Sequence, residues 1–274
     1  MTGLIASLGM YDHPAQQSAN DTLWAAIADA LREQGVEDVP RHLDRTRDVR
    51  AIWHDPRLLL AQACGYPLAV DTILALRVVA LPVYDVPGCD GATHTSVLIM
   101  RANDERQSLD AFRGARAAIN DPQSNTGINL FRAALAPIAG PSSHGAAFFR
   151  DVVETGSHRA SIVAVGTGDA DIAAIDCVTY AAVERFEPDL AAQVRILQRS
   201  PVSPTLPFVT AASTSADTVI ALGVALRSVL ADPELADARA RLFLTGVTLA
   251  DETVLGPILA LRTGAALAGY PDIH

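Results

Sequence analysis

The chain has 274 residues, half of them hydrophobic and 19% charged, which supports packed cores and excludes a disordered tail protein. Its formal net charge of −10 excludes a nucleic-acid binder, which needs a basic footprint against phosphates. A small anion remains compatible, because the local field of a cleft can oppose the global charge.

Residues 4–11 read as a short buried strand, followed by a turn at Asp12-His13-Pro14. Asn20-Asp21-Thr22 offers capping chemistry to a helix that runs to Glu33 and stops at Gly35. Residues 40–43 are expected as a second strand, and Asp55-Pro56 as the start of a helix ending near Cys64-Gly65. Apolar runs at Leu76–Tyr84 and residues 95–101 are the next strands.

The βα pattern then restarts. A short helix at residues 108–112 and a strand at 115–120 lead into the turn Asp121-Pro122-Gln123-Ser124-Asn125-Thr126-Gly127, which opens a helix through Ala134. A strand near 148–153 precedes Gly156-Ser157-His158 at another helix start. Residues 171–176 are a strand, 177–185 a helix and 194–198 a strand. Three prolines in 201–207 mark a stiff crossing segment. A strand at Phe208–Ala211 and helices at 216–230, 233–240 and 252–263 follow.

Chain crossings near 101–104 and 200–207 would flank a self-contained middle segment. The expected organisation is α/β and two-lobed, each lobe a mostly parallel sheet flanked by helices. One lobe comprises residues 1–103 and 201–274, and the inserted lobe residues 104–200. Two hinge crossings suit closure around a ligand. One continuous doubly wound sheet is the alternative.

The candidate site lies at helix starts of the middle segment. The first N–H groups of a helix lack intrahelical partners and carry positive partial charge. With the Ser124 and Thr126 hydroxyls, Asn125 and a close approach allowed by Gly127, they form an anion site. Ser157 and His158 repeat the arrangement after the next strand. Both starts would face the crevice at the carboxyl edge of the sheet. Asp176 ends a buried strand and must be paired there. It is a candidate to accept from a ligand, to orient His158, or simply to cap the next helix. On the first lobe, Tyr11 and Tyr66 are candidates to pack against a ligand and offer it a hydroxyl. For each of these residues, plain capping or packing is the competing reading.

No G-x-S-x-G elbow, G-x-x-x-x-G-K-[ST] loop or G-x-G-x-x-G turn occurs, so neither a catalytic residue nor a nucleotide cofactor is assigned. Cys64, Cys89 and Cys177 lack metal-ligand spacing, and their odd number argues against a disulfide framework. No metal is expected, and Cys64 and Cys177 read as small buried hydrophobes. No apolar run approaches the roughly 20 residues of a membrane span. Met1-Thr2-Gly3 leads into a strand-like run without a basic start or cleavage site. The expected location is cytoplasmic, or periplasmic if an export signal lies outside this sequence.

The succession 79–84, Ser96–Arg101, residues 109–122, Ser124-Asn125-Thr126-Gly127 and Gly156-Ser157-His158 resembles the phosphonate-binding, PhnD-type substrate-binding proteins of ABC transporters. The order Leu109 to Gly114, a strand, then Asn120-Asp121-Pro122 and the hydroxyl-rich turn is the most specific part; Ala174 to Cys177 matches one branch. The resemblance implies a type II periplasmic-binding-protein fold that captures a phosphonate, phosphate ester or related oxyanion for an ABC permease. It places Ser124, Asn125, Thr126, Ser157 and His158 on the phosphonate oxygens and Asp176 near a carboxylate position. Asn125 departs from it, since the family has a small hydroxyl residue there. The alternative expectation is a cytoplasmic enzyme of the same fold acting on a small anionic metabolite.

Overall fold

The computed structural model describes residues 3–139 and 147–274. Met1 and Thr2, read above as a start without a basic segment, lie outside them. In chain order the elements begin with β1 (Ile5–Ser7), α1 (Gln17–Glu33), α2 (Val49–Trp53), β2 (Leu58–Gln62), α3 (Gly65–Val70) and β3 (Leu76–Tyr84). Next come β4 (Ser96–Arg101), β5 (Arg116–Ile119), a turn at Asn125–Asn129 running into α4 (Leu130–Ala139), and β6 (Asp151–Glu154). They are followed by α5 (His158–Thr167), β7 (Ile172–Asp176), α6 (Cys177–Phe186), α7 (Pro188–Ala191) and β8 (Val194–Arg199). The series ends with β9 (Phe208–Ala211), α8 (Ala216–Ala231), α9 (Ala236–Arg241), β10 (Leu244–Leu249) and α10 (Gly256–Leu267).

The fold is two-lobed α/β. The first compact unit holds the chain up to Asp85, Asp90–Ala92 and Pro204–Leu255; the second holds Val86–Cys89, Thr93–Ser203 and Gly256–His274. Each has its own five-stranded sheet, in the orders β1-β2-β9-β3-β10 and β8-β4-β7-β5-β6. In the first sheet β1 and β2 pair in parallel, while β9 runs antiparallel to both β2 and β3, and β10 antiparallel to β3. In the second, β5 pairs in parallel with β6 and β7, and β4 opposes both β7 and β8. The strands therefore point mostly one way, with the reversed strands β4 and β9 placed inside the sheets and the reversed β10 at the edge of the first.

The division differs from the expected boundaries at two places. Strand β4 lies in the second unit because it pairs along its length with β7 and β8. The turn after it is an internal corner, where Arg195 Nη2 donates to the carbonyls of Asp104 and Arg106 at 2.7 and 2.8 Å. The change of unit occurs earlier, at residues 85–93. The C-terminal segment also belongs to the second unit. Tyr270 and Ala265 are buried there with Phe112, Phe131, Phe148 and Leu98, and the Phe148 and Phe149 N–H groups donate to the His274 carbonyl. The chain thus changes unit again at Leu255/Gly256, in addition to the expected change near Ser203/Pro204.

Three local expectations are also corrected. The helix expected from Asp55-Pro56 is strand β2, all five of its residues buried in the sheet, so burial overrides the helix preference of Leu and Ala. Residues 40–43 are irregular, and the Pro40 carbonyl accepts from Trp24 Nε1 at 3.2 Å rather than from a strand partner. Strand β10 was not expected; it pairs with β3 across a register shift between Leu244 and Gly246.

Candidate functional site

Three helix starts follow three neighbouring strands of the second sheet. After β5 the chain turns through Asp121-Pro122-Gln123 to the turn at Asn125–Asn129. After β6 it enters α5, and after β7 it enters α6. Since β6, β5 and β7 are adjacent and parallel, these starts share the carboxyl edge of one sheet. That edge is where open α/β sheets place ligands.

The first start is wider than an α-helix. Asn129 N donates to Ser124 O at 3.1 Å and Leu130 N to Asn125 O, the five-residue spacing of a π-turn. Ser124 caps it, its Oγ accepting from Gly127 N at 2.9 Å. Gly127 is required by contact: a Cβ there would lie 1.6 Å from Asn120 Oδ1. The Thr126 carbonyl accepts from Ser96 Oγ at 2.7 Å, which ties the turn to β4. Asn125 turns inward. Its Nδ2 donates to Ser203 Oγ at 2.8 Å and its Oδ1 accepts from Asn129 Nδ2 at 3.0 Å. Arg132 continues this tie, donating to Asn129 Oδ1 at 2.6 Å and to the Pro271 carbonyl at 2.9 Å.

The second start joins the first through side chains. Thr126 Oγ1 and His158 Nε2 are 2.9 Å apart. Thr126 is buried, His158 half-buried and Ser157 exposed. Ser157 Oγ caps α5 by accepting from Ala160 N at 3.1 Å, and Gly156 before it has φ +82°, a left-handed turn that favours glycine. Burial pushes the His158 imidazole below its usual pKa, against the opposing pull of the Asp176 charge. A proton on Nε2 would make His158 the donor and release the Thr126 hydroxyl proton toward another acceptor.

At the third start Asp176 is a cap and an ion-pair partner. Its Oδ1 accepts from Val178 N at 2.9 Å and Thr179 N at 3.1 Å, and its Oδ2 lies 3.3 Å from His94 Nδ1. Both side chains are buried, His94 completely. Burial pushes the carboxyl up, but the adjacent His94 imidazole outweighs it, leaving Asp176 below the usual carboxylate range. Burial lowers His94 in turn, and the adjacent Asp176 carboxylate more than offsets this, leaving it raised. Asp176 thus takes the capping role and pairs with His94. Among the described residues no group of three metal-ligating side chains occurs.

The candidates on the first unit are also placed. Tyr11 packs edge-on against Tyr84, ring centroids 5.5 Å apart, and its carbonyl accepts from Asn20 Nδ2. Tyr66 is buried in α3. Trp53 is a packing residue with its Nε1 on the Gln62 carbonyl. His94, Asn120, Ser96 and Asn129 were missed; the polar run Thr93-His94-Thr95-Ser96 opening an apolar strand was the available signal for two of them. Cys177, read as a small buried hydrophobe, is buried and lies against Cys89, Sγ to Sγ 3.6 Å.

A two-lobed α/β fold with helix starts gathered at one sheet edge defines a periplasmic-binding-protein-like module. The family model for the ABC transporter phosphonate periplasmic substrate-binding protein matches residues 13–255, and the chain belongs to that family. The family's role is solute binding. The solved structures the chain resembles include a binding-protein component of an ABC phosphonate transporter from Pseudomonas aeruginosa, with 18% identity and a TM-score of 0.74 over 97% of this chain and 87% of that one. PhnD1 from Prochlorococcus marinus in complex with methylphosphonate has 14% identity and a TM-score of 0.71, covering 96% and 98%. XAC2383 from Xanthomonas citri bound to chloride ion has 16% identity and a TM-score of 0.70, covering 97% and 98%. At these identities the likeness is one of fold. No curated protein matches the sequence.

Proposed function

We propose that this solute-binding protein captures a small oxyanion, a phosphonate, phosphate ester or related compound, for delivery to an ABC permease. The observation that carries the reading is the Thr126–His158 contact at 2.9 Å, which joins two helix starts on neighbouring parallel strands. Unpaired N–H groups at such starts attract negative charge, and the Thr126 hydroxyl, held by the His158 imidazole, adds a directed donor.

Ser124, Asn125, Thr126, Gly127, Ser157 and His158 form the proposed anion site. Within it Asn125 acts through its inward ties, holding the turn's backbone, and Asp176 acts by pairing with His94 beside it. Tyr11 and Tyr66 are proposed ligand contacts on the first unit. The family's description supports a periplasmic location for this step.

Thermal-shift screening of the full chain against methylphosphonate, inorganic phosphate, phosphoethanolamine and neutral sugars tests the ligand class. A ligand that binds the native state raises the melting temperature by mass action. Stabilisation by at least one of the three oxyanions is expected, and stabilisation by a neutral sugar alone would sink the assignment.

A further inference from the structure

A pair of thiols stands beside the proposed site and takes no part in it. Cys89 Sγ and Cys177 Sγ are 3.6 Å apart, while Cys64 is a separate buried thiol. The segment before Cys89 is held in place by several bonds. Thr95 Oγ1 donates to the Gly88 carbonyl at 3.1 Å, Arg199 Nη1 to the Pro87 carbonyl at 3.0 Å, and Cys89 N to the Val86 carbonyl at 3.0 Å. Gly88 has φ +106°, and a Cβ on it would come within 3.2 Å of Cys177 Cβ. Cys177 is fixed in turn, since it begins α6 and its N–H donates to the Thr95 carbonyl at 3.2 Å.

We infer that Cys89 and Cys177 are a reversible redox pair that closes to an intramolecular disulfide with a low-molecular-weight disulfide as oxidant. Forming the bond requires the two sulfurs to approach from 3.6 Å to about 2 Å, a movement within reach of side-chain rotation. Their exposures assign the order of events: Cys89 is half-buried and reachable, Cys177 is buried.

Cys89 Sγ attacks the oxidant RSSR, its proton passing through solvent to the departing sulfur, and one RSH leaves. Cys177 Sγ then attacks Cys89 Sγ of the mixed disulfide. The second RS⁻ leaves, and the two protons lost from the pair end on the released thiols. The balance is two protein thiols and RSSR to one protein disulfide and two RSH. The product would link the segment Val86–Cys89 to the start of α6, next to Asp176.

The test treats the native full chain with oxidised glutathione, quenches with acid, and counts thiols in denaturant by mass. One remaining thiol, mapped to Cys64, is expected, with a protein lighter by two hydrogens that dithiothreitol restores. Cys177→Ser should instead accumulate a glutathione adduct on Cys89, because the resolving thiol is gone. Cys64→Ser should oxidise as the wild type does. Three surviving thiols in the wild type, glutathione adducts with no internal link, or a link through Cys64 would each overturn the proposal.

Discussion

The Thr126 hydroxyl and the His158 Nε2 meet at 2.9 Å, one from the π-turn after β5 and one from the first residue of α5 after β6. Few local features of the chain connect these positions. The parallel pairing of β5 with β6, Ile119 opposite Glu154, brings them to one edge.

Replacing His158 by Ala removes the partner that turns the Thr126 hydroxyl proton toward the bound oxyanion. A hydrogen bond to a charged group contributes about 1.5–3 kcal/mol, so affinity for the best oxyanion is expected to fall roughly 10- to 100-fold in a calorimetric titration. His158→Gln, which retains an N–H donor, should recover part of the loss. Equal affinity in the Ala variant would place the anion elsewhere.

The buried His94–Asp176 pair predicts a pH profile of stability. Asp176 has a lowered pKa in the folded state, so its contribution is present above its unfolded value and is lost as pH falls through the folded one. His94 is raised above 6.5, so its contribution is complete below 6.5 and is lost as pH rises through the folded pKa. His158 is lowered, which favours folding above 6.5 and opposes it as pH falls. Urea unfolding across pH should therefore show an alkaline decline that disappears in His94→Gln and an acid-side slope below pH 6.5 that weakens in His158→Ala. Removing one partner of such a buried pair costs about 3–5 kcal/mol, so His94→Ala should be strongly destabilised.

Gly127→Ala is expected to destabilise the protein and impair anion binding together, because its Cβ would overlap Asn120 Oδ1 at 1.6 Å. Adding Asn120→Ala removes the obstructing amide and should restore much of the melting temperature. A double variant no better than Gly127→Ala would assign the glycine's role to something other than this contact.

Asn125→Ser replaces the amide by a small hydroxyl. Here it would leave Asn129 Nδ2 and Ser203 Oγ short of a partner, a loss of about 1–3 kcal/mol in denaturant unfolding. Unchanged stability would mean that water replaces the amide without penalty.

Much of the second unit is legible in the sequence because its signals are local. Strands β4 and β7 are unbroken apolar runs, and Ser124, Ser157 and Asp176 are capping residues placed one position before a helix or turn. Strand β2 is not legible, since its Leu-rich run suits a helix until β1 and β9 flank it. The His94–Asp176 pair and the inward turn of Asn125 depend on partners distant in the chain, as does the return of the C-terminal segment to the second unit. No spacing rule carries those contacts.

The central claim is that the two helix starts joined by Thr126 and His158 hold an oxyanion. Calorimetric titration of methylphosphonate, inorganic phosphate and phosphoethanolamine into the wild type and into Thr126→Ala/His158→Ala, with folding verified by circular dichroism, tests it most directly. The account predicts saturable binding of at least one oxyanion by the wild type and loss of that binding in the folded double variant. Undiminished binding by the double variant would contradict it.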